Sequence, residues 1–598
     1  MNISVEDIPH LKDGTVVAVD LETHDPDLKT HGSGAIVGKG KVCGIALAWD
    51  DKKEYFPIRH KGGLTSNLPS KSVWNRLNRL IFQKEKITKV FHNAMYDVCW
   101  IRAETGLMLK GPIYDTMVAA SVIDENRMRY TLDSLAKDYL DDNKYKGDLK
   151  ELALELHGVS DPMSNMHLLP PDLVKDYAEQ DVSLTLRLWN KFEKIIKTPI
   201  ETESKSKKTL QNIFELETKL FPCLVDMRFK GVRVDEEAAK TLGEELKQEI
   251  EEILKQIKKE TRVTVDIWAA DSIIPLLEQQ KITDYKKTPK TGRPSITKLY
   301  LETHPNKYLN LIAKARQLDK LHNTFVTSIL KFVHKGRIHA DINQIRSDQG
   351  GTVTGRFSMS NPNLQQIPAR SEQGNKIRNL FLPEEDSQWA SFDYSQQEPR
   401  LVVHYALKNN LYGAEDMADA YNKDPDTDFH DMVAKMARIT RKQAKTINLG
   451  LFYGMGKGKL ARSLELDNEE AKELFNQYHS KVPFVKKLSN GLQSFAEKNK
   501  NIFTLEDRFC RFDRWEPINK EWNDEKGVFE ISEYKEVNGK KQIVKSPVPV
   551  LRREEAENRY LADKVRNSQE NDPHCNYFEN YYRPAFTYKA LNRLIQGS

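Results

Sequence analysis

Acidic side chains at short, regular spacings are the residues of this sequence most able to do chemistry. In VVAVDLETHD, Asp20 and Glu22 stand two apart on a strand-like stretch, so their side chains point to one face. Asp97 follows at the start of a helical stretch, and Tyr177 and Asp181, four apart, share a helix face. Like charges held together repel each other unless a cation compensates them.

Carboxylates without nearby histidine or cysteine form a ligand set that favours Mg²⁺ or Mn²⁺. Two such ions close together can clamp the attacking and leaving oxygens of a phosphodiester. Taken singly, each motif has an ordinary alternative, because a D-x-E pair is commonly solvated and a Y-x-x-x-D pair commonly lies on a helix surface. These alternatives stay open for each motif on its own.

The three acidic motifs resemble those of the DEDDy 3′–5′ exonucleases, and the resemblance covers most of residues 15–190. That family has an RNase H-like fold. The resemblance implies that Tyr177 positions the attacking water. It also implies two metal ions held by four carboxylates: Asp20, Glu22, Asp97 and Asp181.

A further candidate carboxylate, Asp393, ends the apolar stretch WASFD. The pattern predicts a buried metal ligand at a strand end, although two-metal chemistry needs at least two such groups. Arg441 and Lys445 are one helical turn apart, so both cations could grip a triphosphate. Alone, such a pair is usually a solvated helix face, and an aspartate before Tyr-Ser is often part of a turn.

Four stretches in the second part of the chain resemble sequence blocks of the family A DNA polymerases, the DNA polymerase I type. Residues 213–235 and 352–368 resemble blocks that open the palm and flank the thumb. FDYSQQEPR (392–400) resembles motif A, and residues 441–456 resemble motif B of the fingers. The implied fold is multi-domain α/β and α+β, with an RNase H-like exonuclease followed by the thumb, palm and fingers of a right-hand polymerase.

This second resemblance implies roles for individual residues. Leu449 replaces the usual aromatic residue of motif B, and we expect altered discrimination of the nucleotide sugar; primer extension by Leu449→Phe, comparing dideoxynucleotides with deoxynucleotides, would test this. The resemblance also implies that Asp393 is a catalytic metal ligand and that Glu398 is a steric gate against the ribose 2′-OH. At the nucleotide, it implies phosphate contacts by His430, Arg441 and Lys445 and a platform for the base at Tyr453. The implied DNA-binding residues, at the primer–template, are Arg356 and Gln596.

The sequence ends at ALNRLIQGS, in a block that precedes the final palm segment of this family. In relatives that segment carries motif C, V-H-D-E, whose aspartate is the second metal ligand, and no HDE occurs in this sequence. We therefore expect an incomplete palm with exposed strand edges, little or no DNA synthesis by this chain alone, and a complementary C-terminal polypeptide. A split gene, an interrupting intron or intein, and truncation remain alternative explanations.

Composition along the 598 residues sets the remaining expectations. Hydrophobic residues make up 39% and charged residues 30%, no apolar run is long enough to cross a membrane, and five scattered cysteines argue against disulfides and structural zinc. These features indicate a cytoplasmic protein, in the host cytoplasm if phage-encoded. The predicted boundaries are 1–205 for the exonuclease, 206–235 for the start of the palm, 236–345 for a thumb with a basic turn at 285–295, 346–425 for the palm with motif A, and 426–598 for the fingers, within which 515–560 is charged and irregular.

The function predicted from these patterns is DNA-directed DNA polymerisation with 3′–5′ proofreading, in a bacteriophage-like replicative enzyme. Its partners would be primer–template DNA, single-stranded 3′ ends and dNTPs, with two Mg²⁺ or Mn²⁺ ions per active centre and no membrane. Two alternatives stay open: a 3′–5′ exonuclease whose polymerase-like region only binds DNA, and a primer–template-binding module without catalysis.

Overall fold

A computed structural model of the chain describes most of its residues. The described ranges are 3–61, 67–142, 149–161, 165–200, 208–285, 287–288, 292–346, 351–368, 371–452, 455, 457–464, 466–523, 528–537, 540–566, 578 and 581–598. No helix within these ranges combines the length and hydrophobicity needed to span a bilayer.

The leading part of the chain is built on a five-stranded mixed sheet with the order β3-β2-β1-β4-β5. β1, β2 and β3 are antiparallel neighbours, whereas β4 and β5 run parallel to β1. The first three strands therefore form an antiparallel meander. The bounds are β1 Val16–His24, α1 Leu28–His31, β2 Lys41–Trp49, β3 Lys52–Pro57, α2 Ser70–Leu77, β4 Thr88–Phe91, α3 Ala94–Thr105, β5 Ile113–Asp115, α4 Thr116–Ile123, α5 Leu132–Leu140, α6 Leu149–His157 and α7 Pro171–Lys197.

Alternation along β1 sends its side chains into two different cores. Val17, Val19 and Leu21 pack in one hydrophobic cluster with residues of α2 and α3, while Ala18 packs in another with residues of α7. Because side chains of a strand alternate, positions 20 and 22 lie on the same face as Ala18. The sheet therefore presents both acidic residues of β1 to the long helix α7.

The next part connects this domain to a small antiparallel sheet with the order β11-β6-β8-β7. Phe221 and Val225 of α8 are buried in the core of the leading domain, and β6 follows α8 directly into the small sheet. The bounds are α8 Gln211–Lys230, β6 Val232–Val234, α9 Glu236–Thr261, α10 Ala270–Gln279, α11 Lys298–Thr303, α12 Lys307–Lys320, α13 Thr327–Phe332, β7 Val333–His334, β8 Arg337–Ile338, β9 Asp341–Asn343, β10 Ser358–Ser360, α14 Glu372–Arg378 and β11 Phe381–Leu382.

The last part is a helical body with three further small sheets, one of which is the pair of β12 and β13. β15, β16 and β17 form an antiparallel sheet, and β14 lies between β18 and β19 in another, so the expectation of an irregular segment at 515–560 was wrong. The bounds are α15 Gln397–Lys408, α16 Ala414–Lys423, α17 Phe429–Ala437, α18 Arg441–Phe452, α19 Lys457–Leu464, α20 Asn468–Lys481, α21 Pro483–Asn499, β12 Asn501–Phe503, β13 Phe509–Arg511, β14 Arg514–Pro517, β15 Glu521–Asn523, β16 Val528–Val537, β17 Lys540–Pro547, β18 Leu551–Arg552, α22 Arg553–Arg566, β19 Tyr582–Pro584 and α23 Ala590–Gly597.

Candidate active sites

The predicted acidic residues of the leading domain come together between β1, α3 and α7. Glu22, Asp97 and Asp181 are all buried, with 7%, 3% and 4% of their surfaces exposed. The backbone N–H of Leu21 donates a hydrogen bond to Asp97 Oδ1 at 3.1 Å, which ties the first turn of α3 to β1. We call the four carboxylates of this site, Asp20, Glu22, Asp97 and Asp181, the exonuclease cluster.

Repulsion between the carboxylates contributes to the pKa values of groups in the cluster. Burial, and next the charge of Asp20, raise the pKa of Asp97 well above its ordinary value. The pKa of Tyr177 is also raised, first by burial and then by the charges of Glu22 and Asp181. Since neighbouring carboxylates add to the effect of burial in both shifts, a cation would be favourable at this site.

The donor set of this site fits divalent metal ions that prefer oxygen ligands. Among the described residues, however, no three His, Cys, Asp or Glu side chains surround a single point as ligands of one ion would. Binding of an ion would therefore have to draw the carboxylates closer together and relieve the repulsion between them.

Asp115 was missed by the sequence reasoning, although it positions Asp97. Its carboxylate accepts hydrogen bonds from the backbone N–H groups of Asn93 at 3.1 Å and Ala94 at 2.8 Å, where α3 begins, and from Met117 at 2.7 Å in α4. One half-buried carboxylate thus caps two helices, and burial raises its pKa. An aspartate between a short strand and a helical run is a recognisable cap signal that could have identified it.

Gly44 of β2 lies directly opposite Glu22 in the sheet register. A Cβ atom at position 44 would lie 1.9 Å from the Tyr55 hydroxyl, so only glycine leaves space for that group. The Tyr55 hydroxyl is 2.6 Å from His60 Nε2, and burial, followed by the charge of Glu22, raises the pKa of Tyr55. A buried polar pair therefore lies beside the Glu22 end of the cluster.

Three residues predicted for the second site converge on the start of α15. Glu398 lies in its first turn and accepts a hydrogen bond from Arg356 Nη2 at 3.0 Å. Gln596 Nε2 of α23 donates to the same carboxylate oxygen at 3.4 Å. The predicted gate residue and both predicted DNA-contacting residues thus share one location, although no spacing in the sequence links them.

The predicted phosphate-binding residues lie on α17 and α18. Arg441 and Lys445 share α18, but Arg441 pairs with Asp428 at 2.5 Å and with Asp431 at 3.4 Å, so its charge is already compensated by carboxylates. His430 is buried, and burial lowers its pKa. The helix ends at Phe452, and Tyr453 lies outside the described residues.

Asp393 departs most from expectation, because its surroundings are neither buried nor strand-like. Residues 383–396, which we call the motif A segment, form no strand, and no described strand pairs with them. Phe392 is 94% exposed, Tyr394 83% and Trp389 62%. The prediction of a buried carboxylate at a strand end was wrong, since an apolar strand is buried only where neighbouring strands and a second layer cover it.

Gln396 was also missed, and it joins the motif A segment to α17. Its backbone is left-handed, with φ 53° and ψ 41°, a conformation that is unfavourable for residues other than glycine. Its side chain donates to the Thr427 carbonyl at 2.7 Å and accepts from the Phe429 N–H at 2.7 Å. No sequence signal predicts a left-handed glutamine, so this residue could be found only in the structure.

Comparison with known families gives two separate matches along the chain. Residues 5–197 match the family model described as 3′-5′ exonuclease, and residues 236–536 match the one described as DNA polymerase family A. The first match contains the whole exonuclease cluster, and the second contains most of the predicted polymerase residues.

Two phage proteins are similar to the chain over most of their length. A protein of Pseudomonas phage M6 named DNA-directed DNA polymerase is 33% identical over 574 residues, covering 86% of this chain and 83% of that protein. DNA polymerase DpoZ of Acinetobacter phage SH-Ab 15497 is 30% identical over 509 residues, covering 77% of each chain.

A solved structure supports the fold. The POL domain of Pol1 from M. smegmatis, in complex with DNA primer-template and dNTP, superposes with a TM-score of 0.62. The superposition covers 84% of this chain and 79% of that one, at 22% sequence identity. At this identity the likeness shows a shared fold alone.

Proposed function

The chain belongs to DNA polymerase family A and carries a 3′-5′ exonuclease domain, and we propose that its two sites serve two different steps of DNA replication. The exonuclease cluster removes 3′-terminal nucleotides, and the site around Glu398 selects incoming dNTPs on a primer–template. The observation that carries the proposal is the convergence of four carboxylates and one tyrosine from three separate elements on one site.

In the exonuclease site, Asp20, Glu22, Asp97 and Asp181 would hold two Mg²⁺ or Mn²⁺ ions, which supply positive charge at the cleaved phosphate. The Tyr177 hydroxyl is protonated at neutral pH, as an ordinary tyrosine is, and burial raises its pKa further. The hydroxyl can therefore orient the attacking water by a hydrogen bond but does not take up its proton. Asp115 fixes the start of α3 and so the position of Asp97.

In the polymerase site, Glu398 would exclude nucleotides that carry a ribose 2′-OH. Its ion pair with Arg356 and its hydrogen bond from Gln596 hold the carboxylate at the start of α15. An incoming triphosphate would compete with Asp428 and Asp431 for Arg441, with Lys445 as a second cation on the same helix. Leu449, in place of an aromatic side chain, would alter sugar discrimination.

We further propose that DNA synthesis requires a second carboxylate beside Asp393. A polypeptide segment other than the residues described here would supply this carboxylate. Support comes from the motif A segment, whose apolar side chains are exposed and whose backbone pairs with no strand in the described part of the chain. A polypeptide that adds a strand there would cover this surface and could bring the carboxylate with it. The proposed place of action is the cytoplasm, of the host if a phage encodes the protein.

A primer-extension assay tests these proposals. A 5′-labelled primer–template with Mg²⁺ is incubated with the wild type, Asp97→Asn and Asp393→Asn, with and without dNTPs, and again after adding a polypeptide that carries the family's motif C segment. We expect the wild type to shorten the primer, Asp97→Asn to leave it intact, and extension to occur only with the added segment and with Asp393 present.

The exposed motif A segment also favours a second candidate function, an exonuclease whose polymerase-like region binds DNA without synthesis. Shortening of the primer under every condition, without extension even when the segment is added, would support this alternative. Extension by the chain unaided would contradict both the alternative and the requirement for a second segment.

A further inference from the structure

Three buried side chains from three helices form a hydrogen-bonded row within the helical body. His430 of α17 is 8% exposed, while Asn448 of α18 and Tyr478 of α20 are fully buried. Asn448 Nδ2 lies 2.9 Å from His430 Nδ1, and Asn448 Oδ1 accepts a hydrogen bond from the Tyr478 hydroxyl. Each side chain of the row is therefore oriented by the next.

The orientation of the Asn448 amide decides the protonation of His430. If Tyr478 donates to Oδ1, then the amide nitrogen faces the ring, and His430 Nδ1 must accept. In the opposite orientation the Asn448 amide nitrogen would face the Tyr478 hydroxyl and donate to it. The hydroxyl proton of Tyr478 would then have no acceptor among the described residues. Because a buried donor without an acceptor is unfavourable, the first orientation is favoured.

With Nδ1 accepting, the neutral ring carries its proton on Nε2. The charged groups near this ring are Arg441 and Lys445 of α18, Asp431 of α17, and Asp428, which precedes α17 as its N-cap. Burial is the largest effect on the ring and lowers its pKa, so the neutral form is favoured. The Nε2–H group is then a fixed donor beside the two cations.

We propose that Asn448 and Tyr478 are positioning residues that hold His430 as its Nε2–H tautomer, ready to donate a hydrogen bond to the triphosphate of the incoming nucleotide. The tautomer rests on the buried row alone, whereas the donor role rests on the nucleotide site proposed above. Asn448 itself would touch no nucleotide and would act only through His430.

The tautomer can be read directly, without nucleotide, from the ¹⁵N resonances of His430 in the full chain labelled at its 15 histidines. The resonance is assigned by its loss in His430→Ala and recorded above neutral pH. We expect Nε2–H in the wild type and Nδ1–H in Asn448→Asp, because a carboxylate of the same shape can only accept. Asn476→Asp, on the exposed face of α20, adds the same charge and should leave the tautomer unchanged. An Nδ1–H wild type would overturn the proposal.

The donor role is tested by binding of dTTP with Ca²⁺ to the chain on a primer–template. Asn448→Leu should weaken binding about tenfold, as expected for one charge-assisted hydrogen bond, and should cause no further loss in a His430→Ala background. An equal loss in both backgrounds would show that Asn448 acts on packing alone and would overturn the role. Wild type that binds no dTTP would refute the nucleotide site itself, while the tautomer measurement would still stand.

Discussion

The exonuclease cluster and the motif A segment are each built around an aspartate predicted to bind metal, yet their surroundings differ sharply. Asp97 is 3% exposed, at the start of a helix held by Asp115 and by β1. Asp393 follows Phe392, which is 94% exposed, on a stretch that pairs with no strand among the described residues. Hydrogen bonds from β1 and to Asp115 therefore fix the surroundings of the first carboxylate, whereas no described strand supports the second.

The difference shows that a catalytic carboxylate depends on its supporting elements as much as on its own residue type. In the leading domain, sheet alternation and helix capping fix the acidic groups close enough to perturb the pKa values of Asp97 and Tyr177. In the motif A segment the same type of residue lies in solvent. We therefore expect substitutions in the two regions to have unequal effects.

The largest effect should come from Asp97→Asn, which removes one negative charge from the cluster with little change in shape. Loss of a metal ligand should lower the rate of single-strand digestion by about 10³-fold or more. Digestion of a 5′-labelled oligonucleotide measures the rate. Glu179→Gln is the matched control, since Glu179 is also buried but pairs with Lys175 at 3.3 Å. Similar losses in both variants would refute the special role of the cluster.

Tyr177→Phe should lower the same rate by about 10²-fold, the usual effect of losing one well-placed hydrogen-bond donor. Because burial, the largest cause, raises the pKa of Tyr177 above its ordinary 10.0, the wild-type hydroxyl keeps its proton as the pH rises through that value. The wild-type rate should accordingly show no loss from tyrosine ionisation near pH 10.0. A decline at that pH that is absent from Tyr177→Phe would contradict this role.

Asp115→Ala should destabilise the leading domain by about 1–2 kcal/mol through loss of a helix cap and lower digestion by about tenfold. Thr131→Ala, which removes the cap of α5, is the control. Urea denaturation measures the free energy of unfolding of each variant. If both variants digest DNA equally well at equal stability, then Asp115 does not position Asp97.

The smallest effect should come from Phe392→Ser in the motif A segment. A side chain that is 94% exposed contributes little to folding, so the free energy of unfolding should change by less than about 0.5 kcal/mol. Phe91→Ala, fully buried on β4, should cost about 3–5 kcal/mol. A cost above about 2 kcal/mol for Phe392→Ser would show that the segment is packed and that the contrast between the two regions is mistaken.

The exonuclease site was largely predictable because its signals are local. Alternation placed Asp20 and Glu22 on one face, and helical spacing joined Tyr177 with Asp181. Resemblance of the three motifs to one family then supplied their convergence, which spacing alone does not give. Asp115 was overlooked because a cap residue resembles an ordinary turn in the sequence.

The polymerase site was less predictable because its contacts join distant parts of the chain. The pairing of Arg356 and Gln596 with Glu398 spans sequence separations of 42 and 198 residues, and no local pattern reports it. The apolar residues before Asp393 predict a buried strand, but burial depends on a neighbouring strand that none of the described residues provides. The strands within 515–560 were missed because charged residues interrupt their alternation.

The most direct test of the contrast is a calorimetric titration of the full chain with Mn²⁺, comparing the wild type with Asp97→Asn, Asp181→Asn and Asp393→Asn. We expect Asp97→Asn and Asp181→Asn to lose most of the binding, while Asp393→Asn binds Mn²⁺ as the wild type does. Unchanged binding in Asp97→Asn and Asp181→Asn, or a marked loss in Asp393→Asn, would contradict this expectation.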